Sequence, residues 1–124
     1  MSYLEIAENN FKVLKEDFPD YDKLNRHIIL MYNTCEALLK AILLGNSNID
    51  VNTKDLRAIY NMISDKIDLD IKSILNLDLL YRYSIMASIS EDDFIIVSED
   101  YAEEFFNLTN ELYLKINKWC SENL

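Results

Sequence analysis

The sequence predicts an all-α protein, built as an up-and-down four-helix bundle with a possible short fifth helix. Its 124 residues include only one glycine and one proline, too few turn residues for a sandwich or barrel of many short strands. Half of the residues are hydrophobic, and they recur every three to four positions, the spacing of one helix face. The length fits one domain over residues 1–124, large enough to bury its own core.

The first helix is expected over residues 2–17, and the second over about residues 21–44. Pro19 disfavours helical backbone in the residue before it and so separates the two helices. Asp20 is of the residue type that caps a helix start. Gly45 and Asn46 are expected to stop the second helix, because both readily take the left-handed conformation found after a helix end.

The third and fourth helices follow a polar loop, NSNIDVN. Thr53 is expected to cap the third helix, which runs to about residue 67. Its apolar side consists of Leu56, Ile59, Tyr60 and Ile63. The fourth helix lies within residues 71–88, and a break near Asn76 is left open.

The last helix is expected from Ser98, its cap, to about residue 121. Glu99 and Asp100 stand in its first turn, where negative charge suits the helix dipole. The preceding stretch, ISEDDFIIV, is expected to be a connection with extended character. One apolar stripe follows the helix: Tyr101, Phe105, Leu108, Leu112, Ile116 and Trp119.

Several classes of site are excluded by composition. One glycine cannot supply a dinucleotide-binding fingerprint or a phosphate-binding P-loop. The only histidine, His27, cannot form a paired-histidine zinc site or the Glu-x-x-His pairs of a di-iron bundle. The acidic residues from Asp65 to Asp70 lack the glycine that a calcium loop needs for its turn. We therefore expect no metal and no cofactor.

The net charge of −10 argues against nucleic acid as a direct high-affinity ligand, since phosphates are held chiefly by Lys and Arg. A basic partner, or a basic pocket inside an acidic shell, is left open. Cys35 and Cys120, without a signal peptide, favour reduced thiols and a cytoplasmic location. The apolar run over residues 28–44 is interrupted by Asn33, Glu36 and Lys40, so no membrane span is expected.

The second helix carries a wider apolar arc than one bundle core requires. It is therefore either the central helix or a helix shared between the core and a partner. Glu36 and Lys40 stand four residues apart in the favourable order for an ion pair. Exposed, the pair contributes only about 0.3–0.5 kcal/mol; in a dimer seam it would fix orientation, because an unpaired buried charge is costly.

Three further residues are candidates for binding. His27 faces the apolar side of its helix and is either a hydrogen-bonded core residue or an interface residue. Arg82, beside Tyr81, either holds a phosphate or forms a surface ion pair with Asp78, four residues earlier.

Three segments resemble the HEPN domain family. YNTCEALLKAILLGN is similar to its Ala- and Leu-rich helix with a Glu-x-x-x-Lys element. TKDLRAIYNMI resembles its Thr-His-Asp-Leu helix start, with Lys54 in the place of the histidine. SEDYAEEFFNLTNELYLKI resembles its acidic-capped final helix.

The resemblance implies a bundle that forms homodimers and acts with a minimal nucleotidyltransferase, often in toxin–antitoxin pairs. Ribonucleases of this family use an Arg followed after four to six residues by His, and that motif is missing here. In the other branch, a Tyr is followed four residues later by Arg-Tyr-Pro; Tyr81 fits the Tyr, but Ile85, Met86 and Ala87 replace the rest. No catalytic residue is carried over.

We therefore expect a non-catalytic interaction subunit with binding or interface candidates Glu36, Lys40, Tyr81, Arg82 and His27. One alternative is a divergent metal-independent ribonuclease toxin that uses Arg82. Another is a nucleotide-binding module, in which Lys40 or Arg82 holds a phosphate against Tyr81.

Overall fold

The computed structural model describes residues 2–47, 52–89 and 97–124, and it is all-α, as predicted. Five α-helices and one 3-10 turn occur in these ranges, with no strand: α1 (Tyr3–Asp17), the 3-10 turn (Tyr21–Lys23), α2 (Leu24–Ser47), α3 (Leu56–Ile63), α4 (Ile71–Ile89) and α5 (Glu99–Asn123). Four helices have fifteen residues or more, and α3 has eight. The expected four long helices and a short fifth are thus confirmed.

The start of the chain follows the prediction closely. Ser2 caps α1, and its hydroxyl accepts a hydrogen bond from the backbone N–H of Glu5. Asp20 does act as a cap, but of the 3-10 turn, where its carboxylate accepts from the N–H of Asp22. The second helix therefore begins at Leu24 and not at Tyr21.

The end predicted for the second helix is wrong. α2 continues through Gly45 to Ser47, and Gly45 does not adopt a positive φ. A methyl group at this position would meet the side-chain methyl carbons of Leu124 at 2.9 Å. Gly45 therefore lies where the end of α5 approaches α2, and it acts through close packing rather than as a helix stop.

α2 is the central helix, and it packs against α1, α3, α4 and α5. None of its described apolar side chains is among the large hydrophobic residues exposed to solvent. The wide apolar arc is thus explained within one chain, which is the first of the two alternatives for this helix. A contact with another chain needs a different surface.

The cap and the end of α3 also differ from the prediction. Asp55 is its cap and accepts from the N–H groups of Arg57 and Ala58, while Thr53 accepts from the N–H of Asp55 itself. The helix ends at Ile63 and not near residue 67. The Tyr60 hydroxyl donates to the carbonyl oxygen of Ile67 and accepts from the N–H of Leu69, which fixes the following loop.

α4 and α5 complete the bundle. α4 continues past Asn76 without a break. Ser98 caps α5 through the N–H of Tyr101, as predicted. Most of the stretch ISEDDFIIV, residues 90–96, lies outside the described residues, so its extended character stays a prediction.

The two cysteines are free thiols at different depths of the bundle. Cys35 is completely buried, with its Sγ 3.5 Å from the Thr109 hydroxyl on α5, and burial raises the pKa of its thiol to about 12. Cys120, near the end of α5, lines an apolar cavity of about 380 Å³ together with Leu44 and Leu124.

One described helix is long and apolar enough to cross a membrane by length and composition: Tyr21–Gly45, which spans the 3-10 turn and most of α2. Over its most apolar window, 56% is buried inside the bundle. A buried core helix passes the same test, so this is weak evidence for a membrane span.

Candidate functional site

The hydroxyl of Tyr32 joins α2 to the segment just before α3 through two polar contacts. Its hydroxyl oxygen lies 2.6 Å from the carbonyl oxygen of Lys54, just before α3, and 3.0 Å from Oε2 of Glu36. Since the hydroxyl carries one hydrogen, the two acceptors share it. Burial, followed by the nearby Glu36 carboxylate, raises the pKa of Tyr32 above its usual value. The phenol therefore stays protonated and ties α2 to the start of α3.

The predicted ion pair between Glu36 and Lys40 is present. Lys40 Nζ lies 3.7 Å from Oε2 of Glu36, and the two side chains are 12% and 22% exposed, respectively. Lys40 Nζ also lies 5.9 Å from the centre of the Tyr3 ring on α1. The pair is thus partly buried, and through Glu36 it joins the hydrogen bond of Tyr32.

A groove between α2 and α4 opens beside Tyr32. The Tyr81 ring centre lies 6.0 Å from that of Tyr32. The groove has a volume of about 300 Å³ and is lined by Ile29, Tyr32, Asn33, Lys54, Tyr81, Ser84, Ile85 and Ser88. Lys54 is exposed, and its ammonium has no ion pair within the described part of the chain. Aromatic faces next to a free cation can hold a planar anionic ligand.

The structure separates Tyr81 from Arg82. Tyr81 lines the groove, whereas Arg82 is exposed and lies about 100° further around α4. The predicted ion pair between Asp78 and Arg82 is not formed, because Asp78 accepts a 2.8 Å hydrogen bond from Arg57 of α3. Arg82 makes no hydrogen bond or ion pair with the described residues.

His27 lies outside this site. It is 1% exposed, and its Nε2 is 2.9 Å from Oδ2 of Asp17, the last residue of α1. The Phe18 ring meets the imidazole edge to face at 5.5 Å. Of the two interpretations of His27 from the sequence, the geometry fits the hydrogen-bonded core residue.

Of the five candidates, the structure brings together Glu36, Lys40 and Tyr81, and it places Arg82 and His27 elsewhere. Sequence reasoning missed Tyr32 and Lys54. Tyr32 precedes Glu36 by four residues, a helical spacing that indicates contact. Lys54 contacts Tyr32 through its backbone carbonyl oxygen. Every residue has this group, so the residue type could not indicate the contact.

Among residues 2–47, 52–89 and 97–124, no group of three or more His, Cys, Asp or Glu side chains is placed to hold a metal ion. The polar network around Tyr32 offers hydrogen-bonding groups and a partly buried ion pair to a partner or ligand.

Comparison with known proteins identifies a family. A family model described as HEPN domain matches residues 1–119. No curated protein and no solved structure matches the chain.

Proposed function

Because this chain belongs to the HEPN domain family, we propose that it is a non-catalytic interaction subunit, a cytoplasmic homodimer that acts with a minimal nucleotidyltransferase-type partner or in a toxin–antitoxin pair. The state of its single histidine is the observation that carries the proposal. His27 is buried and its Nε2 is bonded to Asp17. No imidazole is therefore accessible to act as general base or acid on RNA.

The charge of the molecule supports a protein partner rather than RNA. Its net charge of −10 repels a polyanion on average. Of the cations suggested by the sequence to hold a phosphate, Lys40 is paired with Glu36, whereas Arg82 has no ion pair among the described residues. A partner with a basic surface would be attracted by this net negative charge.

Two measurements test the proposal. If a minimal nucleotidyltransferase is encoded next to this chain, co-expression of the two should give a stoichiometric complex that survives size-exclusion chromatography. The purified chain should leave a mixed RNA substrate intact. RNA cleavage by the parent protein would overturn the non-catalytic role, whereas the absence of a complex would overturn the partner.

The ribonuclease alternative depends on Arg82, which is exposed and unpaired among the described residues. An arginine can stabilise a phosphorane, but cleavage also needs a base within reach. The neighbouring Asp78 is bonded to Arg57, and Tyr81 lies in the groove on another side of α4. If the parent cleaves RNA and Arg82→Ala cleaves equally well, Arg82 has no part in the reaction.

The groove favours nucleotide binding as a second candidate function. Tyr32 and Tyr81 offer aromatic surface, and Lys54 supplies the cation for which the sequence had suggested Lys40 or Arg82. A nucleotide at about 100 times its Kd would stabilise the fold by about 2.7 kcal/mol. Thermal shifts with ATP, ADP, GTP and GDP test this, with Lys54→Ala as the disrupting variant and exposed Lys12→Ala as the control. No shift for any of the four nucleotides would reject the idea.

A further inference from the structure

The outward face of α4 is apolar, although nothing in the described chain covers it. Of the ten large hydrophobic side chains exposed in the described residues, five belong to this helix; Ile71 and Ile89, at its two ends, are 77% and 75% exposed. At 100° per residue, these five and two charged residues fall within a sector of about 100°. The seven are Ile71, Leu75, Asp78, Arg82, Ile85, Met86 and Ile89.

The same helix also buries its opposite side, which includes Leu77, Leu80 and Ala87. A helix that is apolar on both sides is normally covered on both sides. The outward residues are spaced alternately by four and three positions. This spacing is typical of a helix that packs along another helix. The outward face of α4 therefore has the pattern of a helix–helix contact.

The pattern is also self-complementary. If two copies of α4 lie antiparallel about a two-fold axis level with Leu80, residues equidistant from position 80 face each other. The resulting pairs are Ile71 with Ile89, Leu75 with Ile85, and Asp78 with Arg82. Each pair occurs twice, because in a two-fold contact the same patch serves both partners.

The two charges at the centre of this face, Asp78 and Arg82, are free to make a further contact with such a partner. Arg82 has no hydrogen bond or ion pair within the described residues. The Asp78 contact with Arg57 uses Oδ2, so Oδ1 can accept a further hydrogen bond. α4 contains one acidic residue and two basic ones, Lys72 and Arg82, whereas α5 is rich in acidic residues. Two copies of this acidic protein therefore repel each other less through α4 than through α5.

We infer that the outward face of α4 is the contact between two copies of this chain, with the helices antiparallel and Asp78 of each copy paired with Arg82 of the other. The inference rests on the homodimer in the proposed function, and it specifies which surface of each copy forms the dimer interface. A membrane surface or an unrelated partner would account for the apolar residues, but not for opposite charges placed symmetrically about the middle of the helix.

This contact has a consequence for the groove between α2 and α4. Ile85 belongs both to the lining of the groove and to the outward face of α4. In the antiparallel pair, Leu75 of the second copy lies against Ile85. Leu75 of each copy thus borders the groove of the other copy. Both grooves lie next to the contact between the two α4 helices.

Sedimentation velocity over a micromolar concentration series tests the contact. The parent should be a dimer, and Leu75→Glu should weaken it on the order of a hundredfold or more. Leu114→Glu is the matched control, since Leu114 is also an exposed leucine, 61% against 50% for Leu75, but lies on α5. It should dimerise like the parent. Circular dichroism confirms that each variant is folded.

The charge pair has its own test. Arg82→Asp and Asp78→Arg should each weaken the dimer, because each brings like charges together across the axis. An equimolar mixture of the two variants should dimerise again, since every facing pair then has opposite charges. Recovery in the mixture is not expected from a folding defect or from a contact elsewhere.

The outcomes separate the two proposals. A parent dimer that persists in Leu75→Glu, or single charge variants that dimerise normally, would overturn the α4 contact and leave the homodimer intact. A parent that is monomeric throughout the series would overturn both the contact and the homodimer, while complex formation with the nucleotidyltransferase is judged separately.

Discussion

The imidazole of His27 and the carboxylate of Asp17 are joined by a contact of 2.9 Å between Nε2 and Oδ2, across the turn from α1 to α2. The histidine is buried, whereas the aspartate side chain keeps 35% of its exposure. The bond therefore connects an interior ring to an anion at the surface, and Phe18 covers the ring from the side. It fixes the angle at which the two helices leave the turn.

Replacing His27 by alanine should destabilise the fold by about 2–3 kcal/mol, because it removes a hydrogen bond to a charged group and leaves a cavity beside Phe18. His27→Gln keeps an amide donor and should recover part of the loss. Urea denaturation of the three proteins measures the difference. Equal stability of His27→Ala and the parent would show that the bond contributes nothing.

Acid should weaken the same link. The hydrogen bond from His27, with help from Lys23, holds the pKa of Asp17 below its usual range. As pH falls, the unfolded chain therefore binds a proton on Asp17 before the native protein does. The contribution of this link to the free energy of unfolding is complete above about pH 4, and it is lost as pH falls through the lower pKa of Asp17 in the native protein. Denaturation between pH 5 and pH 2.5 should show a shallower loss of stability for Asp17→Asn than for the parent. Parallel curves would contradict the linkage.

Tyr32→Phe should cost about 1 kcal/mol, since it leaves the Lys54 carbonyl and Glu36 without the shared phenol hydrogen. Hydrogen exchange should also accelerate in the segment just before α3. Tyr113→Phe is the control, because the Tyr113 ring packs on Phe11 while its hydroxyl has no hydrogen bond within the described residues. Similar losses in both variants would mean that the hydroxyl of Tyr32 is not what matters.

Gly45→Ala should raise the unfolding free energy by up to about 1 kcal/mol, because alanine is the better residue inside a helix. The three heavy atoms nearest to the new methyl group all belong to the side chain of Leu124, which is 66% exposed and has room to turn away. Thermal denaturation tests this. A clear loss of stability would show that Leu124 cannot move and that the close approach of α5 is rigid.

The sequence predicts best those features that depend on residues within one helical turn of each other. Ser98 was identified as a cap because a hydroxyl at that position needs only an N–H group three residues on. The order of the long helices and the burial of Leu56, Ile59, Tyr60 and Ile63 follow from spacing in the same way. The Glu36–Lys40 pair is also local.

The predictions fail where a distant part of the chain decides. Gly45 was expected to stop a helix, but the approach of Leu124 from α5 gives it another role. An ion pair between Asp78 and Arg82 was one of the two interpretations of Arg82, but α3 brings Arg57 to Asp78 instead. The bond between Asp17 and His27 crosses a turn whose shape the sequence does not specify.

Cys35 and Cys120 lie at different depths in the bundle. Their reactivities with a thiol reagent therefore report two different unfolding events. A thiol reagent can reach Cys120 when the tip of α5 frays from its cavity, whereas it reaches Cys35 only after α2 and α5 have parted along the core. Alkylation rates of the two positions, read by mass spectrometry on the unmodified sequence, would thus report terminal breathing and global unfolding in one experiment. No label has to be introduced for this purpose.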